Sequence, residues 1–109
     1  MPATYWRLKL TKRKRNRVVE RTVEIKNPLG LHARAAAQFV RTATQFSSKV
    51  TVSKDGTTID GKSILGILFL AATSGSELTI AATGDDERAA VEALVKLVKS
   101  GFGEDGGRR

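Results

Sequence analysis

Strand patterns alternate with helix patterns along most of this chain, and nearly every pattern has a single apolar face. Apolar and polar residues that alternate with period two indicate half-buried strands, whereas apolar residues at i, i+3, i+4 and i+7 indicate helices with one buried stripe. The order of the patterns is βαββαβα. Because each predicted strand has one apolar face, helices can cover only one side of the sheet. The sequence therefore predicts an α+β fold, an open-faced β-sandwich with a four-stranded antiparallel sheet and three helices on one face.

The first half of the pattern predicts a strand, a helix and a hairpin. Residues 22–26 alternate as a strand does, and an amphipathic helix follows. Its apolar stripe consists of Ala36, Phe39, Val40 and Ala43. Asp55 and Gly56 favour the positive backbone angles of a tight turn between two strand patterns. The two strands that flank this turn must then be antiparallel.

The second half begins with Ser63, a typical N-cap residue, before the short apolar segment 64–70. Seven apolar residues in about two helical turns cannot all face one core. Part of this helix is therefore expected to be exposed for docking or buried by another element. A last strand and a last helix follow, and the glycines after residue 100 predict a frayed tail. Their apolar residues are Leu78, Ile80 and Ala82 in the strand, and Val91, Leu94, Val95 and Val98 in the helix.

Length and composition exclude several classes of protein. A chain of 109 residues is too short for a two-domain enzyme, so function is expected in a surface site or an interface. With no cysteine and one histidine, the chain has no disulfide framework or thiolate site, and we expect no metal and no cofactor. No apolar run reaches transmembrane length, and Arg7, Lys9 and Lys12 interrupt a signal-peptide pattern. We expect a soluble cytoplasmic protein.

The net charge of +8 is concentrated in an N-terminal arm. Residues 1–21 contain eight Lys and Arg and one acid, whereas the remaining 88 residues are nearly neutral. Three interpretations of the arm stay open, namely an added strand, a contact with nucleic acid or an anionic membrane, and a disordered extension. We expect disorder. We predict an extension over residues 1–20, a domain over residues 21–101 and a flexible tail over residues 102–109.

The only histidine, His32, lies where a loop gives way to a helix pattern. Backbone amides at a helix start are unpaired and bind phosphoryl oxygens, and a neutral imidazole nearby can attack phosphorus. Arg34, two residues later, can add charge-assisted hydrogen bonds. His32 and Arg34 are therefore candidate catalytic residues. Taken alone, they also fit an exposed or capping histidine and a solvated arginine.

Two separated motifs resemble the HPr family, the histidine-containing phosphocarriers of the phosphoenolpyruvate-dependent phosphotransferase system. They are Gly30-Leu31-His32-Ala33-Arg34-Ala35-Ala36 followed by Phe39-Val40, and Gly61-Lys62-Ser63-Ile64. The resemblance covers roughly residues 20–101. It implies a monomeric carrier rather than a stand-alone enzyme. Enzyme I would pass a phosphoryl group from phosphoenolpyruvate to Nδ1 of His32, and an EIIA-type domain would take it onward.

Family members commonly have proline directly after the arginine, where this chain has Ala35. Alanine loosens the helix start slightly but leaves one more N–H donor. We expect altered kinetics and retained transfer. Sugar uptake and an NPr-like regulatory role share this chemistry, so both stay open, and a nucleic-acid-binding module that uses the arm is a weaker alternative.

The resemblance also assigns roles to the second helix. Ser63 resembles the serine that HPr kinase/phosphorylase modifies in many members, and a plain N-cap is an equal alternative. The resemblance implies a partner-docking surface formed by Ala33, Ile64, Leu65, Leu68 and Phe69.

Residues 56–63 also satisfy the Walker A expression GxxxxGKS. That loop needs a preceding parallel strand, yet Asp55 and Gly56 indicate a hairpin turn, and only 46 residues follow Ser63. Nucleotide hydrolysis is therefore disfavoured.

Overall fold

The computed structural model of the chain describes residues 18–104, and the basic arm up to residue 17 and the segment 105–109 lie outside the described residues. The four strands are β1 (Val19–Glu24), β2 (Lys49–Lys54), β3 (Thr57–Asp60) and β4 (Glu77–Thr83). The three helices are α1 (Ala33–Ala43), α2 (Ile64–Leu70) and α3 (Glu87–Lys99), and a 3-10 turn (Gly101–Gly103) follows α3. This order is the βαββαβα order that the sequence predicts.

The strands form one antiparallel sheet with the order β1-β4-β2-β3. Strands β2 and β3 are joined by the predicted hairpin, in which Asp55 and Gly56 have φ angles of 51° and 84°. Helix α3 packs over β1 and β4, α2 packs over β2 and β3, and α1 contacts both other helices. The structure confirms the open-faced α+β sandwich.

The core lies between the helices and one face of the sheet. Strands β2 and β4 contribute alternate residues, β1 contributes Val23, β3 contributes the half-buried Ile59, and the helices contribute the apolar stripes that their spacing predicts. Ten apolar side chains are less than 2 % exposed and large enough to dominate this core: Phe39, Ile25, Ile67, Leu78, Ile80, Leu94, Val50, Val52, Val91 and Val98. The opposite face of the sheet carries none of them.

The ends of the domain differ from the sequence prediction. Strand β1 runs from Val19 to Glu24, so the strand expected at residues 22–26 begins three residues too late and extends two residues beyond its end. The expected tail from residue 102 is also wrong at its start, because Phe102 is 3 % exposed and belongs to the core. Phe102 has a φ of 60° between two glycines, and this 3-10 turn returns its ring to the core. Gly101 and Gly103, two of the glycines that predict fraying, therefore lie in an ordered turn.

Candidate functional site

The loop before α1 is fixed by backbone hydrogen bonds. The amide of Gly30 donates to the carbonyl oxygen of Asn27 at 3.1 Å, and the amide of Leu31 donates to that of Ala72 at 2.9 Å. Gly30 has a φ of 66°, and a Cβ atom there would lie 2.4 Å from the oxygen of Ala72. Glycine is thus required both for the backbone angle and for this close approach. The loop holds the start of α1 against the segment that follows α2.

His32 is the N-cap residue of α1, and its extended backbone (φ −78°, ψ 176°) starts the helix. Its carbonyl oxygen accepts the first helical hydrogen bond, from the amide of Ala36 at 2.8 Å. No side chain caps this end, and the first turn contains no acidic residue. Within residues 18–104, no group accepts a hydrogen bond from the amides of Ala33, Arg34 or Ala35. These three donors and the helix dipole form a site suited to an anion.

The ring of His32 is oriented by a carboxylate. Its Nε2 lies 2.5 Å from Oε2 of Glu104, and the His32 side chain is 27 % exposed. Asn27 is buried and donates from Nδ2 to the same Glu104 oxygen at 3.0 Å and to the Gly30 oxygen at 2.8 Å. A carboxylate accepts hydrogen bonds, so the neutral ring carries its proton on Nε2 and leaves the Nδ1 lone pair available. Nδ1 has no hydrogen-bond partner among the described residues.

Arg34 lies exposed in the first turn of α1. Its guanidinium forms no salt bridge or side-chain hydrogen bond with any part of the chain that the structure describes. The structure therefore places Arg34 near the open helix start but does not join it to His32. Its contact with a phosphoryl group stays a prediction.

Helix α2 presents an apolar surface beside this loop. Leu65 and Phe69 are 79 % and 73 % exposed, and Ile64 is 43 % exposed, whereas Leu68 is half-buried against the core. Ala33 is exposed on α1. Ser63 caps α2, since its hydroxyl accepts a hydrogen bond from the amide of Gly66 at 3.0 Å.

Three residues near the site are not predicted from the sequence. Glu104 lies in the C-terminal segment, whose glycines predict a tail. Asn27 precedes a proline and has the sequence context of an ordinary turn residue. Leu29, in the same loop as His32, is 69 % exposed and extends the apolar surface. The one signal that the sequence offers for any of them is a leucine three residues before the candidate active-site histidine, and its exposure is visible only in the structure.

The structure gives no support to the nucleotide-binding alternative. Gly56 lies in the β2–β3 turn and the next four residues form β3, so residues 56–63 do not form a phosphate-binding loop after a parallel strand. In the described part of the chain, no cluster of three or more His, Cys, Asp or Glu could hold a metal ion. Across residues 18–104, every helix is too short or too polar to span a bilayer.

Comparison with known proteins decides the family. A family model described as the PTS HPr component phosphorylation site matches residues 19–100. The chain belongs to the HPr family. It is 44 % identical over 87 residues to the phosphocarrier protein HPr of Neisseria meningitidis serogroup A, a match that covers 80 % of this chain and 98 % of that protein.

Other family relatives and a solved structure agree with this assignment. The HPr-like protein Crh of Bacillus subtilis is 43 % identical, over 75 % of this chain and 96 % of Crh. A crystal structure of HPr from Thermoanaerobacter tengcongensis aligns with a TM-score of 0.77 and 50 % identity, and covers 80 % of this chain and 98 % of that one. The chain is therefore a phosphocarrier-family protein of the phosphotransferase system.

Proposed function

We propose that the protein accepts a phosphoryl group from Enzyme I on Nδ1 of His32 and passes it to an EIIA-type domain. The observation that carries this proposal is that the two ring nitrogens of His32 have different environments. Nε2 is held by Glu104, whereas Nδ1 is without a described partner at the N-terminus of α1. The ring is therefore oriented and has one nitrogen ready to react.

The transfer step needs no general base. The Nδ1 lone pair forms a bond to phosphorus while the bond between phosphorus and its donor group on Enzyme I breaks, and the electron pair leaves with the donor group. The proton stays on Nε2, where the carboxylate of Glu104 balances the positive charge that the ring acquires. In transfer to the EIIA-type domain, a nucleophilic group of that domain forms a bond to phosphorus while the Nδ1–phosphorus bond breaks and its electron pair returns to the ring.

The helix start supplies the electrostatic stabilisation. The amides of Ala33, Arg34 and Ala35 donate hydrogen bonds to phosphoryl oxygens, and the guanidinium of Arg34 turns toward the group to add a charge-assisted bond. Ala35 contributes an N–H that proline at this position lacks.

The exposed apolar residues of α2 form the docking surface for Enzyme I and the EIIA-type domain. Ile64, Leu65 and Phe69 supply its centre, and Leu29 supplies its edge beside His32. The loop that contains Leu29 is hydrogen-bonded to Ala72, just beyond the end of α2, so the docking surface and the reactive ring are continuous. An exposed apolar patch of this kind is typical of a protein interface.

A phosphate on Ser63 acts on that surface. Ser63 directly precedes Ile64 and Leu65, and a phosphate there adds a charge of about −2 beside apolar side chains that a partner must desolvate. We expect Ser63→Asp to weaken binding to Enzyme I, as measured by calorimetry. Ser53→Asp, on the opposite face of the sheet, is the matched control. Equal affinities for both variants would argue that α2 is not the docking surface.

A labelling experiment tests the carrier role. Enzyme I and labelled phosphoenolpyruvate are expected to leave an acid-labile, base-stable phosphate on the full chain, and His32→Ala is expected to remove all of it. The circular dichroism spectrum of His32→Ala shows whether the fold is intact. Label that persists on a folded His32→Ala protein would eliminate His32 as the carrier residue.

A further inference from the structure

The face of the sheet opposite the helices is polar, acidic and open. No element of residues 18–104 packs against it, although its centre is a shallow depression of about 350 Å³. Threonine and serine side chains dominate the depression, where Ser53 and Thr58 are hydrogen-bonded at 2.7 Å, and Thr79 is hydrogen-bonded to the neighbouring Thr22 at 3.1 Å. The lining residues are Val18, Glu20, Lys49, Thr51, Ser53, Thr58, Thr79, Ala81 and Thr83.

This open face carries four acids and one base. By strand alternation and register, Glu20, Glu24, Asp60 and Glu77 lie on it together with Lys49. Glu24 and Glu77 are directly opposite each other on β1 and β4. Like charges in that arrangement destabilise a sheet, and a cation placed between them removes the repulsion. The open face thus has the charge pattern that a basic segment complements.

The chain itself supplies such a segment. Residues 1–17 contain seven Lys and Arg and no acid, and they join the domain at Val18. Val18 is 53 % exposed and lines the depression, so the arm begins at the rim of the open face. Seventeen residues reach up to about 56 Å, whereas four strands span only about 15 Å across the sheet. The arm is long enough to cross the face and return.

We propose that the basic N-terminal arm binds the open face of its own sheet. Trp6, Leu8 and Leu10 alternate with Arg7 and Lys9, so an extended arm can place its apolar side chains on one side. Those side chains contact the threonine methyl groups and Ala81, while the five cations of residues 12–17 neutralise Glu20, Glu24 and Glu77. The bound arm lies on the opposite side of the sheet from the helices, so partners still reach α2.

Trp6 is the only tryptophan and reports directly on this contact. At low salt we expect Trp6 of the full-length protein to be protected from acrylamide quenching. Because exposed charge pairs are screened by salt, about half or more of that protection is expected to be lost in 1 M NaCl. Nuclear Overhauser contacts between the Trp6 ring and the methyl groups of Thr79 and Ala81 are expected at low salt.

Two charge reversals make the test specific. Glu77→Lys removes one acid from the open face and converts the Glu24 repulsion into an attraction, so folding is retained while Trp6 loses protection. Glu92→Lys makes the same charge change on the exposed side of α3 and is expected to leave Trp6 protected. Equal effects of the two variants would overturn the proposal.

The remaining outcomes also decide the question. Contacts from Trp6 to the sheet of a differently labelled copy, with a concentration-dependent mass, would show that the arm binds a second molecule and would overturn the proposal. Protection of Trp6 that appears only when DNA is added would overturn it in favour of a nucleic-acid contact. Intramolecular contacts in a monomer support it.

Discussion

Helices α1 and α3 begin in opposite ways. The first turn of α1 has no acid and no side-chain cap, and its basic residue Arg34 is exposed. The first turn of α3 contains Glu87, which accepts a hydrogen bond from the amide of Gly84 at 2.9 Å. Asp86, the N-cap of α3, accepts from the amides of Ser47 and Ser48, each at 2.9 Å. Two of the protein's own carboxylates therefore lie at the positive end of α3, although neither accepts a hydrogen bond from an amide of that helix, whereas the first turn of α1 contains no acid.

We infer that the start of α1 suits an anion because its first turn lacks the acidic residues that lie at the start of α3. A helix start is a weak anion site in any protein, and capping side chains normally fill it. At α1 the capping position is held by His32, whose ring is turned to Glu104 instead of the helix amides. The carboxylates at the start of α3 bind other parts of the fold, whereas the start of α1 is, in our proposal, the binding site for the exchangeable phosphoryl group.

Glycine substitutions at the two helix starts are expected to have the largest effects. Gly30→Ala places a Cβ 2.4 Å from Ala72 O, and Gly84→Ala places one 2.6 Å from Oγ of Ser48, both at positive φ. Each is expected to cost about 2–4 kcal/mol of folding free energy. Urea unfolding measures that cost. Only Gly30→Ala is expected to slow phosphoryl transfer per folded molecule. Equal transfer rates in the two variants would contradict the proposal that the start of α1, and not that of α3, binds the phosphoryl group.

Glu104→Gln tests the carboxylate that orients the ring. Glutamine can still accept a hydrogen bond from Nε2 but cannot balance the ring's charge. Because charge-assisted hydrogen bonds are roughly twice as strong as neutral ones, we expect about a tenfold fall in the transfer rate. Steady-state kinetics with Enzyme I should show this fall in kcat with KM unchanged. Glu92→Gln is the control, and a change confined to KM would assign Glu104 to docking instead.

An acid added to α1 would make its start resemble that of α3. Ala33→Glu is expected to stabilise the protein by about 0.3–1 kcal/mol through the helix dipole, yet to slow phosphoryl transfer several-fold. Ala89→Glu, in the exposed first turn of α3, should leave transfer unaffected. Thermal unfolding and transfer rates measure the two quantities. Faster transfer in Ala33→Glu would contradict an anion site at α1.

The smallest expected effect concerns pH and the start of α3. The hydroxyl of Ser48 and the amide of Ser47 lower the pKa of Asp86 from 3.8 to about 2. A lowered folded-state pKa stabilises the protein above the unfolded value, and this contribution is lost as pH falls from about 4 to 2. Asp86→Asn should therefore reduce the urea midpoint at pH 7 and have less effect near pH 2. An equal reduction at both pH values would contradict this linkage.

Local sequence patterns predict the fold well where the residues of a single helix, strand or turn are enough to form the pattern. The hairpin at Asp55 and Gly56, the Ser63 cap and the bounds of α2 follow from turn and cap chemistry, and the structure contains them as predicted. Strand β1 begins earlier than its alternating pattern indicates, because Arg21 stands at a position that alternation would place inward, is exposed and interrupts the apolar series. Tertiary pairing with β4 extends the strand regardless.

The sequence predicts His32 and Arg34 of the candidate site but not Glu104, and the reason is physical. His32 and Arg34 are neighbours in the chain, so their spacing is visible, whereas Glu104 lies 72 residues away and meets the ring only after folding. Phe102 carries the C-terminal segment back to the core and thereby delivers Glu104, but a phenylalanine between glycines gives no signal of that contact. Long-range contacts of single residues have no periodicity to detect.

Heteronuclear NMR of the phosphorylated protein tests the central claim most directly. Nitrogen-15 and phosphorus-31 spectra of the protein labelled in His32 identify which ring nitrogen carries phosphorus. We expect phosphorus on Nδ1 and a proton on Nε2, and we expect Glu104→Gln to alter the Nε2 signal. Phosphorus bonded to Nε2, or phosphorylation with no coupling to the ring of His32, would contradict the proposal that Nδ1 of His32 carries the phosphoryl group.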